Sequence, residues 1–131
     1  MQIYVAAKFE NKQEVRRVQK ILEANGHTIT YDWTQEDATG REGDALQYYL
    51  QQCAVNDHNA VFECDVMLFL SQNNCQGAFT ELGLAIAWGR PVYIVGHTTN
   101  IFTRLGPEYG VFTFDTVEQA LEAIDRDEFQ E

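Results

Sequence analysis

Short apolar runs alternate with amphipathic stretches along this chain. "QIYVAA" (2–7) is β-rich and reads as a buried strand. "NKQEVRRVQKILEANG" (11–26) then takes up a helical period. Val15, Val18, Ile21 and Leu22 share one stripe, with the basic residues outside it. Asn11 and Glu14 have capping-box spacing, and Gly26 is a C-terminal stop. "HTITYDW" (27–33) reads as a second strand and "TQEDATGREG" (34–43) as a polar, mobile loop. The next helix begins near Asp44, with the stripe Leu46, Tyr49, Leu50, Cys53, Ala54, Ala60 and Val61. "CDVMLFLS" (64–71) is nearly all apolar, as a central parallel strand would be. A loop (72–77), an apolar helix (78–89), a fourth strand (90–96) and a long loop (97–110) follow. A short fifth strand (111–114) and an acidic closing helix (116–129) complete the pattern.

This alternation predicts an α/β fold, with a parallel sheet between two layers of helices and right-handed crossovers. Five strands order most naturally as 2-1-3-4-5, the three-layer flavodoxin-like (Rossmann-like) arrangement. The length, 131 residues, suits one domain over 1–131. Ligands of such sheets bind beyond the carboxyl ends of the strands, where the winding reverses. The predicted crevice lies between the loops after strands one and three, "AAKFEN" and "SQNNCQG".

Two carboxylates interrupt this pattern. From Val66 to Gly89 there is no Asp, Lys or Arg, and Glu81 is the only Glu. The chain order puts Glu81 in the first turn or so of a helix beginning at the crevice. A helix N-terminus favours an anion, whereas apolar neighbours favour the neutral acid. Such a group suits a nucleophile or a general base; a capping glutamate without function fits the same local pattern. Asp57 falls on the apolar stripe of the second helix, where a charge needs a partner or a job. Its polar neighbours Asn56, His58 and Asn59 also allow a frayed, solvated helix end. Paired carboxylates facing one crevice are the usual equipment for cleaving glycosidic bonds.

Other residues border the same crevice. Lys8 could meet a phosphate or carboxylate, and Phe9 could stack on a base; a surface Lys beside a core Phe is the plainer reading. Trp33 could form a pocket wall or simply pack. Ser71, Asn73 and Asn74 are hydrogen-bonding groups there, and Gly77 would let a ligand approach the backbone or merely start the helix. His27, His58 and His97 have no metal-ligand spacing. There is no P-loop, GxGxxG or nucleophile elbow. The loop after strand one lacks the acidic pair of a phosphoacceptor receiver domain.

Charge narrows the choice of partner. Twenty acidic and nine basic residues give a formal net charge of -11, which argues against a nucleic-acid polymer and an anionic membrane. Five of the nine basic residues (Lys8, Lys12, Arg16, Arg17 and Lys20) fall in the first twenty positions, so a locally positive site for a small nucleotide stays open. Cys53, Cys64 and Cys75 suit free thiols better than a disulfide framework or a zinc site. There is no signal-peptide pattern and no run of membrane-spanning length, so a cytoplasmic protein is expected.

"IYVAAKF", "CDVMLFL" and "GAFTELGLAIAWGRPVYIV" together resemble the nucleoside 2-deoxyribosyltransferase family and its deoxynucleoside 5'-monophosphate N-glycosidase relatives. The resemblance runs from about Gln2 to Val95; Gly-x-x-x-Glu-Leu-Gly at 77–83 is its most specific part, and Asn56-Asp57 the second. It implies a glutamate nucleophile at Glu81, an assisting aspartate at Asp57, and a sugar and base pocket lined by Ala7, Lys8 and Phe9. It also implies a nucleoside or nucleotide as small-molecule substrate, no metal or other cofactor, and a homo-oligomer, dimer or higher. Transferases of the family usually carry an aspartate just before the glycine of this element, where this chain has Cys75 and Gln76. The monophosphate hydrolases have a Gly-Ser phosphate loop where this chain has Ala7-Lys8. A non-catalytic nucleotide-sensing module and a TIR-like NAD hydrolase share the architecture and are the alternatives.

Overall fold

The computed structural model describes residues 1–129. Residues 130 and 131 of the expected 1–131 domain lie outside that range. Five strands form one parallel sheet in the order 2-1-3-4-5: β1 (Gln2–Ala7), β2 (Thr28–Ile29), β3 (Val66–Leu70), β4 (Val92–Val95) and β5 (Val111–Phe114). The helices are α1 (Lys12–Ala24), α2 (Gly43–Glu63), α3 (Gln76–Ala87) and α4 (Val117–Phe129). α1 and α4 cover one face, tied together where His27 and Asn25 both bond Asp125. α2 and α3 pack together on the other face. Right-handed crossovers produce this split, because the winding reverses between β1 and β3.

β1 and β3 are buried on both faces apart from Gln2, which explains their near-continuous apolar sequences. Their register, Ile3 opposite Val66 through Ala7 opposite Leu70, ends both strands at the same level. The loops that follow therefore open side by side.

Several expected boundaries shift. β2 has two residues rather than seven. Pairing with β1 extends only to the Thr30 amide on the Ile3 carbonyl, and the chain then turns into a 3-10 helix at Trp33–Gln35. The Asp32 side chain caps that turn at the Thr34 amide, and Arg16 grips the Thr34 hydroxyl and carbonyl at 3.0 and 2.9 Å. These local bonds outcompete the ladder of an edge strand. The Asn11–Glu14 capping box does not form. Asn11 makes no side-chain cap, and Glu14 instead takes a two-pronged bond from Arg17 at 2.7 and 2.9 Å. The 34–43 segment is pinned rather than loose: the Asp37 amide donates to the Tyr49 hydroxyl, and the Arg41 guanidinium lies over the Tyr49 ring. Two 3-10 turns, Ile101–Arg104 and Pro107–Tyr109, occupy the long loop before β5.

The stripe expected on α2 is only partly covered. Ala60 and Val61 are buried, Leu46, Tyr49, Cys53 and Asp57 are half-buried, and Leu50 and Ala54 are exposed. Among the described residues no helix is long and apolar enough to cross a membrane.

Candidate active site

Beyond the ends of β1 and β3 a cavity of about 470 Å³ opens between α2, α3 and the Trp33 turn. Small-molecule sites commonly occupy ~300–1,000 Å³. Residues from four separate stretches meet here: Ala7, Lys8 and Phe9 after β1; Trp33 and Glu36 after β2; Asp57 and His58 on α2; and Asn74, Gly77 and Glu81 around the start of α3. A larger hollow of about 710 Å³ beside β5 has no carboxylate in its lining.

Glu81 enters the cavity from the second turn of α3, because that helix begins at Gln76, two residues earlier than its sequence suggests. The helix N-terminus is thus farther off than expected. Burial, Tyr4 and Glu36 set its chemistry instead. Tyr4 sits in the middle of β1, fully buried, and turns its hydroxyl onto Glu81 Oε2. A buried tyrosine hydroxyl needs such an acceptor. Burial raises the Glu81 carboxyl, the Tyr4 bond pulls it down and the Glu36 charge pushes it up, leaving it at about 7. Tyr4 itself is raised well above its ordinary range by burial and by the neighbouring carboxylates.

Asp57 faces the same cavity from α2. Burial, then the charges of Glu81 and Glu36, push it up to about 8. No hydrogen-bond donor reaches its buried Oδ1. An ionised carboxylate left in that state would be costly, so the neutral acid is the stable form near pH 7. The two carboxyls therefore sit in different surroundings: Glu81 takes the Tyr4 hydroxyl, whereas the buried Oδ1 of Asp57 takes no donor.

The direction of the Tyr4 contribution gives a test. Tyr4→Phe removes a donor to the anion, so Glu81 will titrate above about 7, as read by carbon-13 NMR of its carboxyl. The rise expected is roughly one pH unit, about the strength of one charge-assisted hydrogen bond.

Trp33 and Phe9 form an aromatic wall, their ring centroids 6.0 Å apart. The Trp33 indole donates to the Val5 carbonyl at 2.6 Å, which anchors the buried ring to β1. Lys12 stands over the outer Phe9 ring. Asn74 adopts a left-handed backbone (φ 63°), turning the chain into α3. Ser71 is absent from the lining. Its hydroxyl donates to the Val95 carbonyl at 2.7 Å, so it fastens β3 to β4. Asn73 likewise receives the Thr99 amide. Cys75 is buried, with its thiol on the Gln72 carbonyl. No group of three or more His, Cys, Asp or Glu among the described residues is arranged to hold a metal ion.

Tyr4 and Glu36 belong to the site although the sequence reading passed over them. A tyrosine in an otherwise aliphatic central strand was a usable signal for Tyr4, since its hydroxyl had to be satisfied somewhere. Glu36 had no such signal, being one acid among several in a polar stretch.

With this geometry in view, three likenesses bear on the chain. A family model described as nucleoside 2-deoxyribosyltransferase matches residues 3–121. Among solved structures, the CMP N-glycosidase of Clostridium botulinum aligns at a TM-score of 0.65 and 18% identity, over 95% of this chain and 99% of that one. The 2-deoxyribosyltransferase of Bacillus psychrosaccharolyticus aligns at 0.61 and 16%, over 95% and 90%. At these identities the structures speak to the fold. No curated protein sequence matches the chain.

Proposed function

The chain belongs to the nucleoside 2-deoxyribosyltransferase family, an enzyme family, and on that premise we propose that it breaks the N-glycosidic bond of a nucleoside or nucleotide through a glutamate nucleophile. The observation that carries this reading is that Tyr4-held Glu81 and Asp57, whose buried Oδ1 takes no donor, line one cavity.

In this mechanism a Glu81 oxygen attacks the anomeric carbon. The bond from that carbon to the base nitrogen breaks, and its electron pair goes to the base. Asp57 gives its proton to the departing base. Water, or the nitrogen of a second base, then attacks the anomeric carbon, frees Glu81 and returns a proton to Asp57. As the glycosyl ester forms, the Glu81 charge disappears. That charge helps to hold the proton on Asp57, so bond formation makes the acid readier to release it. The Phe9–Trp33 wall offers a face for the base. Lys8, Asn74 and Gly77 line the same space and are the groups placed to meet the rest of the substrate.

The test is base release. The protein is incubated with ribo- and deoxynucleosides, their 5'-monophosphates and NAD, with and without a second free base, and free bases are separated by chromatography. Release in buffer alone identifies a hydrolase; release only with an added base identifies a transferase. Saturable binding with no release from any compound would overturn the enzymatic reading in favour of a sensing module.

A homo-oligomer is part of the proposal. Tyr48, Val55 and Phe62 recur every seven residues along the outer face of α2, exposed by 65%, 44% and 51%. A seven-residue apolar repeat of Tyr48, Val55 and Phe62 on one helix suits packing against a second copy of the same helix, while Leu50 lies on the opposite stripe. Sedimentation at micromolar concentration is expected to give at least a dimer, and Val55→Glu a lighter species.

A further inference from the structure

Two tyrosines distribute the charges in the cavity. Tyr4 donates to Glu81, and Tyr31 donates to Glu36 at 3.1 Å. Asp57 receives no donor at its buried Oδ1 and lines the same cavity as Glu36, whose carboxylate is among the groups that raise it. Ionised carboxylates only accept hydrogen bonds, so two of them in direct contact require a proton between them. Glu36 already accepts the Tyr31 hydroxyl, whereas Asp57 Oδ1 accepts nothing, so the proton of such a pair falls on Asp57.

We propose that Glu36 is a positioning residue: it holds the proton of Asp57 in a shared carboxyl–carboxylate hydrogen bond, so that the cavity presents one acid, Asp57, opposite one anion, Glu81. This rests on the reading above for the role of the acid. When the base departs, the proton passes from Asp57 to the base, and Glu36 and Asp57 are left as two carboxylates. The Glu81 charge has by then been neutralised in the ester, so the number of negative charges in the cavity is unchanged. The attacking water or second base later supplies the proton that re-forms the pair.

The other groups facing Asp57 are few. Glu81 faces it from α3 and Tyr4 from β1. Tyr31 stands beside Glu36, and Cys53 and His58 lie on its own helix. Lys8 and Glu10 line the same cavity beyond β1.

Carbon-13 NMR of the aspartate carboxyls in the full chain reads the pair directly, with or without turnover. In the wild type, Asp57 is expected to titrate well above the ordinary aspartate range. Glu36→Gln removes the carboxylate charge that holds the proton on Asp57, so the Asp57 step falls by at least about one pH unit. Tyr31→Phe keeps the carboxyl partner and removes only its anchor, so the step stays at or above its wild-type position. A general loosening of the site would move both variants in the same direction. An unmoved Asp57 step in folded Glu36→Gln, or a fall in Tyr31→Phe, would overturn the proposal. Where base release is measurable, its alkaline limb moves with the NMR step in Glu36→Gln. Absent base release beside an intact titration would instead overturn the catalytic reading and leave the pair standing.

Discussion

Glu81→Gln is expected to lower base release by at least ~10³-fold, the equivalent of ~4 kcal/mol of transition-state stabilisation, while leaving the fold in place. The amide keeps the size of the side chain and can still accept the Tyr4 hydroxyl, so the cavity stays formed. What it lacks is an oxygen nucleophile able to form and release a glycosyl ester. Substrate binding should change little, because the aromatic wall and Lys8 are untouched. A fall in kcat with KM nearly constant is therefore the kinetic signature, read by chromatography of released base. A far-ultraviolet spectrum and melting curve that match the wild type exclude misfolding as the cause.

Asp57→Asn is expected to have two opposite effects. Activity falls by ~10²–10⁴-fold, the usual contribution of a positioned general acid. The loss shrinks for a nucleoside whose base leaves without needing a proton, such as an N7-methylated purine. Stability moves the other way. The folded-state value of Asp57 is raised above its unfolded one, so wild-type stability from this group is fully present below about pH 4 and is lost as pH rises towards about 8. Asparagine cannot ionise and avoids that loss. The melting temperature of the variant should therefore exceed the wild type by a margin that grows between about pH 4 and about pH 8, then levels off. A gain of roughly 3–5 °C at pH 8 corresponds to ~1 kcal/mol, allowing for the solvent that reaches this half-buried side chain. Calorimetry across that range checks it. A stabilised but inactive variant is what a functional carboxylate in an unfavourable environment predicts.

The two carboxyls also set the pH profile. Glu81 must be ionised to attack, so activity is lost as pH falls below about 7. Asp57 must be protonated to donate, so activity is lost as pH rises above about 8. The expected profile is a narrow bell between them.

Much of this was legible in the sequence because it follows from periodicity. Alternating strands and helices, with crossovers of one hand, imposed the 2-1-3-4-5 sheet. The apolar setting of Glu81 and the helical spacing of Asp57 identified each as unusual without any coordinates. What stayed hidden depends on contacts between distant segments. Tyr4 and Glu81 are 77 residues apart and meet only because α3 lies across β1. Glu36 joins Asp57 at the cavity because β2 stops after two residues and Asp32 and Arg16 shape the following turn. Ser71 looked like a cavity residue by its position after β3, but one hydrogen bond to the neighbouring strand turned it away. Local pattern fixes which segments exist; it does not fix which hydroxyl finds which carboxylate.

The central claim is that Glu81 forms a covalent bond to the sugar, and mass spectrometry tests it most directly. A nucleoside carrying fluorine at C2' of its sugar slows breakdown of a glycosyl ester, because the electronegative substituent disfavours the oxocarbenium-like transition state. Incubation followed by peptide mapping is predicted to find one fluorinated pentosyl unit on the peptide containing Glu81. A pentosyl unit on any other residue would contradict the account.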